Sequence, residues 1–163
     1  MTVIKVIGAG VIMIFAIVVG REYSDYAGRR AEQLRGFLYL ICHIRGRISR
    51  FLAFGDGLCY GFECDALESV GFLPLVREGT NLYDAFEKCK SRLSLSGAQK
   101  KILSDFFLGF GMDYKDGELE RMTDFLANYE KITERDVENM TKNVQVARAL
   151  LFGGALWAGI MSL

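Results

Sequence analysis

Residues Val3 to Gly20, near the start of the chain, read VIKVIGAGVIMIFAIVVG. The stretch holds no Asp, Glu, Asn, Gln or Pro, and Lys5 is its only charge. From Val6 the apolar run continues unbroken for 15 residues and stops at Arg21-Glu22. As helix, the clean part spans about 22 Å and the whole of 3–20 about 27 Å. A bilayer's hydrocarbon core is about 30 Å thick, so 3–20 is expected to be a short transmembrane helix with Lys5 reaching the headgroups. Two other readings compete. A cleaved signal peptide would need a small-x-small site, and Val-Val-Gly-Arg-Glu does not supply one. A buried helix of a soluble protein would need a large core around it.

The rest of the chain must then be something held at a membrane. With 163 residues the length suits about one domain. Lys and Arg total 20, Asp and Glu total 20, and the formal charge is zero. That balance provides no global basic field, so nucleic acid is not an expected partner. All 20 acids lie between Glu22 and Glu138, so the chain is apolar at both ends and polar between. Cys42, Cys59, Cys64 and Cys89 are separated by 16, 4 and 24 residues, which matches no zinc template. They read as small buried hydrophobes in a reducing compartment.

Arg21 to Arg50 carries seven arginines against three acids. Apolar residues recur at Leu34, Phe37/Leu38, Ile41, Ile44, Ile48 and Phe51/Leu52, the spacing of one helical face. One long amphipathic helix is expected, leaving the bilayer with its arginines on the cytoplasmic side. Phe54–Gly57 (FGDG) ends it. A shorter helix is expected over Cys59–Gly71, then a break at Gly71-Phe72-Leu73-Pro74. Thr80-Asn81 caps a helix through Leu93, with Leu82, Ala85/Phe86, Cys89 and Leu93 inward. Ser96 is the expected N-cap of a helix over Ala98–Gly109, the most apolar of the middle region.

Gly109-Phe110-Gly111 and Asp116-Gly117 mark a turn before a long helix over Glu118–Asn143. Its expected inner face is Leu119, Met122, Phe125/Leu126, Tyr129, Ile132, Val137 and Met140. Residues 112–140 carry nine acids (113, 116, 118, 120, 124, 130, 134, 136, 138) and four bases, read as an outer acidic face. Residues 149–163 are uncharged, about 22 Å as helix, with Gly153-Gly154, Ala158 and Gly159 offering close approach to a neighbour in lipid. The expected organisation is therefore a transmembrane helix over 3–20, a cytoplasmic helical domain over 21–143 and a second transmembrane helix over 144–163. The fold class is all-α, a six-helix antiparallel bundle between two short spans.

No catalytic, cofactor-binding or metal residues are nominated, and a non-enzyme is expected. The chain has one histidine, His43, next to Cys42. Adjacent helical positions point about 100° apart, a poor geometry for a dyad. No Walker lysine motif, H-E-x-x-H or G-x-S-x-G occurs. Neither apolar end carries an acid, which argues against transport by this chain alone. The alternative enzyme reading is a thiol or metal site built from Cys42, His43, Cys59 and Cys64.

Four segments in order carry a resemblance: RRAEQLRGFLYLICHIRGRISRF, SVGFLPLVREGTNLYDAFEKC, ILSDFFLGFGMDYKDGELERMTDFLANYE and ARALLFGGALWAGIMSL. With the Leu-Gly-x-Gly…Asp step at Leu108–Asp116, the chain is similar to the stage III sporulation protein AB family of endospore-forming bacteria. The resemblance implies a subunit of the channel complex between mother cell and forespore. It also implies a body like the cytoplasmic domain of type II secretion inner-membrane platform proteins. Partners implied are a secretion-type ATPase of the same operon and other membrane subunits, with homo-oligomerisation left open. The acidic face of 112–140 and the basic face of 29–50 are the candidate contact surfaces. An exported helical binding module released by signal cleavage is the competing function.

Overall fold

The structure, a computed structural model, describes residues 2–50 and 57–161, with only part of the side chains in the two terminal helical stretches. The described residues form six α-helices and no strand: α1 (Thr2–Ser49), α2 (Asp65–Ser69), α3 (Phe72–Arg77), α4 (Leu82–Cys89), α5 (Gly97–Leu108) and α6 (Lys115–Met161). The fold is all-α, as expected. The count differs from six helices between two spans, because α1 and α6 run on without a break. No proline or turn signal separates Gly20 from Arg21 or Asn143 from Val144. The boundaries there are changes of composition, which a helix backbone does not register.

Among the described residues no helix is long and apolar enough to cross a membrane. Most side chains of the two expected spans, 3–20 and 144–163, lie outside the described residues. The chain divides into two compact units, residues 1–28 with 135–163, and residues 29–134. In the first unit, Val11, Ile14, Phe15, Ile17, Val18 and Val19 are 44–69% exposed.

The 29–134 unit is built on the apolar stripe of α1. Leu34, Phe37, Leu40, Ile41, Ile44 and Ile48 are buried; Phe51 and Leu52, expected to extend it, lie outside the described residues. Phe37 meets Phe72 of α3 at 5.4 Å, Phe86 of α4 at 5.7 Å and Phe107 of α5 at 6.1 Å between ring centroids. One side chain thus ties four helices through edge-on and tilted ring contacts. A glycine lets α2 approach α1: a Cβ on Gly36 would sit 2.9 Å from Cys64 Sγ and 3.2 Å from Leu67 Cγ.

The expected helix over Cys59–Gly71 is mostly absent. Residues 57–61 turn, Gly61 takes φ +76°, and helix begins only at Asp65. Gly71, at φ +83°, separates α2 from α3. The break expected at 71–74 is therefore the two residues Val70-Gly71, and Pro74 sits in the first turn of α3, where its missing N–H costs nothing. Gly79 closes α3: its N–H donates to Val76 O at 3.1 Å, and that of Thr80 to Leu75 O at 3.0 Å.

Both expected N-caps are present. Asn81 accepts from the Asp84 N–H, and Ser96 forms a reciprocal box with Gln99. Helix α4 stops at Cys89, earlier than expected, yet Leu93 is still buried. On α6 the buried stripe is Met122, Leu126, Tyr129 and Thr133. Ile132, expected inward, is exposed, because the 3.6-residue period that buries Leu126 and Tyr129 selects Thr133.

Candidate functional site

The 29–134 unit presents two charged surfaces and one apolar turn. Asp113, Asp116, Glu120, Asp124, Glu130 and Glu134 are exposed, and Asp116, Glu120 and Asp124 follow one another at i, i+4 and i+8 along α6. Glu118 is not part of this face, contrary to the sequence reading. It is fully buried and ion-paired with Arg121, and its Oε2 accepts the Gly111 N–H at 3.3 Å. Arg121 in turn donates to Phe106 O at 3.2 Å and lies 5.1 Å from the centre of the Phe106 ring. This acid is structural: it fastens the start of α6 to the end of α5, with Gly111 at φ +81° allowing the turn between them.

That turn is the feature the sequence reading passed over. Leu108, Met112 and Tyr114 are exposed, Met112 at 75% and Tyr114 at 95%. Lys115 Nζ donates to Ser49 O at 3.3 Å, which places the turn beside the C-terminal end of α1. Exposed Met and Tyr beside an acidic helix face have the make-up of a docking patch, an apolar centre with a charged rim. The signal was present in Leu-Gly-Phe-Gly-Met-Asp-Tyr, but its glycines made it read as a turn and as a step of the resemblance, not as exposed apolar side chains.

On α1, Arg29, Arg35 and Arg45 are exposed, as is Arg50 just after its end. Arg30 and Arg47 are engaged inside the fold: Arg30 Nε donates to Gln99 Oε1 at 3.2 Å, and Arg47 Nη1 to Tyr60 O at 3.1 Å. Arg77 Nη2 donates to Phe62 O at 3.2 Å and pairs with Glu68, so two guanidinium groups hold the 57–63 turn by its carbonyls. Beside that turn lies a cleft of about 590 Å³ lined by Cys59, Tyr60, Phe62, Glu63, Val76 and Arg77.

The residues of the thiol or metal alternative have separate environments. Cys42 is exposed, Cys64 half-buried, and Cys59 and Cys89 buried; all four thiols are free. The His43 ring lies 5.5 Å from that of Phe62, and its Nε2 is buried without a hydrogen-bond partner. Burial raises the Cys59 thiol to about 11, against the lowering pull of Arg47 and Arg77. Burial also raises Cys42 and Cys89, with Arg45 and Arg92 respectively acting the other way. These thiols stay protonated at neutral pH, whereas a nucleophile or metal ligand works as thiolate. Among the described residues no three of His, Cys, Asp and Glu are grouped to hold a metal ion.

No family model, no curated protein and no solved structure matches the chain.

Proposed function

We propose that this chain is a non-enzymatic, membrane-anchored scaffold subunit of a secretion-like channel, docking a cytoplasmic ATPase. The observation that carries it is the exposure of Val11, Ile14, Phe15, Ile17, Val18 and Val19. Six exposed apolar side chains within the nine residues 11–19 need a non-aqueous cover, and lipid supplies one. The second uncharged run, 149–163, and the arginines from Arg21 onward support two spans with the body on the cytoplasmic side. The resemblance to the stage III sporulation protein AB family supplies the setting, a channel between mother cell and forespore with a secretion-type ATPase as partner.

Within that reading the ATPase docks on the Leu108–Tyr114 turn and the Asp116, Glu120, Asp124 face. The test has two parts. Full-length chain should stay in the membrane pellet after an alkaline carbonate wash; release into the supernatant overturns the anchor. The ATPase encoded in the same operon should co-purify with the full-length chain, and Met112→Ser with Tyr114→Ser should weaken this about tenfold or more. An N-terminus found beyond Gly20 would instead favour the exported module.

A further inference from the structure

We infer that Glu120 and Asp124 of α6 steer a lysine- and arginine-bearing face of the ATPase onto the Leu108–Tyr114 turn and set how fast the complex forms, while Met112 and Tyr114 set how long it lasts. This rests on the docking site proposed above and adds the chemistry of what fits it. The turn carries its own anchors: Leu108 is 52% exposed, Met112 75% and Tyr114 95%. Acids border it on both sides. Asp105 of α5 precedes it, Asp113 lies within it, and Asp116, Glu120 and Asp124 follow along one line of α6; all five are exposed.

The cations nearby are engaged within the fold. From Gly109 to Leu126 the chain has only Lys115 and Arg121. Lys115 Nζ donates to Ser49 O at 3.3 Å, and Arg121 pairs with buried Glu118 and donates to Phe106 O at 3.2 Å. Arg50, next in the chain after Ser49, is exposed and makes no ion pair with the five acids. Asp116 has a local reason for its place, since it lies in the first turn of α6 and meets the positive end of the helix dipole. That effect fades within the first turn, so Glu120 and Asp124 gain nothing from it. Four residues apart on one helix face, they repel each other and cost the helix stability. The fold's own use for an acid here is met by Glu118. An uncompensated row of carboxylates beside bare Met and Tyr side chains is complementary to a partner with basic groups around an apolar pocket. Charge on such a rim acts on the rate of encounter, and a desolvated anchor acts on the rate of escape.

The test measures binding rates of the full-length chain, held in an uncharged detergent, on the immobilised ATPase of the same operon. Between about 0.1 M and about 1 M salt the screening length falls from about 10 Å to about 3 Å. Wild-type association should slow about fivefold or more over that range, with dissociation little changed. Glu120→Gln with Asp124→Asn should associate about fivefold more slowly at the lower salt and dissociate as wild type. Glu63→Gln with Glu78→Gln removes as many exposed acids from other elements and should associate as wild type. Met112→Ser with Tyr114→Ser should dissociate about tenfold faster and keep the salt dependence. Association that ignores salt overturns the cationic face and leaves the docking turn standing. So does a Glu63, Glu78 variant that slows binding as much as the Glu120, Asp124 variant. A serine pair that dissociates as wild type overturns the docking turn and leaves the steering acids. A wild-type chain that the ATPase does not bind at either salt overturns both.

Discussion

Glu118 is a carboxylate with no exposed surface, met by Arg121 and by the Gly111 N–H. Removing one member of such a pair leaves the other charge without compensation, which is costlier than the pair is worth. Glu118→Ala should destabilise the fold by about 3 kcal/mol, while Glu120→Ala, two residues on and exposed, should stay within about 0.5 kcal/mol. Urea unfolding of both variants checks this; equal effects would place Glu118 on the surface. Cys59 and Tyr129 make a second prediction. Burial raises the thiol to about 11 and pushes the Tyr129 phenol well up, with Thr133 acting weakly the other way. Both groups are neutral when protonated, so the unfolded chain loses these protons first as pH rises. Stability is therefore intact below about pH 9 and falls between about pH 9 and 11, by up to about 3 kcal/mol from Cys59. Cys59→Ala should flatten that part of the curve. An unchanged slope would assign the loss elsewhere.

At the scale of elements, what was legible was local. Asn81 and Ser96 were readable as caps because a short polar side chain before an apolar period has one strong use. The inner face of α4 followed from spacing alone. Ser96→Ala should cost about 1 kcal/mol and loosen α5, since it also frees Gln99 from its box. Thermal denaturation with and without a Gln99→Ala background would show the coupling. The missed elements share a cause. Residues 59–64 read as the start of a helix, but Gly61 at φ +76° breaks the run, and a sequence does not show which glycine adopts a left-handed turn. Thr133 displaced Ile132 from the core for a tertiary reason: the helix phase is set by Tyr129 and Leu126, and hydrophobicity at one position does not override it. Glu118 read as one acid among nine because charge counts carry no information on burial. The pairing of Arg30 with Gln99 was equally hidden, since it joins residues far apart in the chain.

Across the whole molecule, the 29–134 unit is where contacts between helices concentrate: Phe37 links α1 to three other helices, and Glu118 with Arg121 links α6 to α5 and the turn after it. Its four sulfurs are graded by that packing: Cys42 faces out, Cys64 partly, and Cys59 and Cys89 lie within. The chain thus carries a native sidedness marker. A bulky maleimide too polar to enter cells should modify Cys42 in inside-out vesicles, slowly because its thiol is raised, and leave it untouched in intact cells. Modification in intact cells would put the helical body on the outer face. No engineered reporter is needed: the wild-type protein records in one sulfur atom which compartment it looks into.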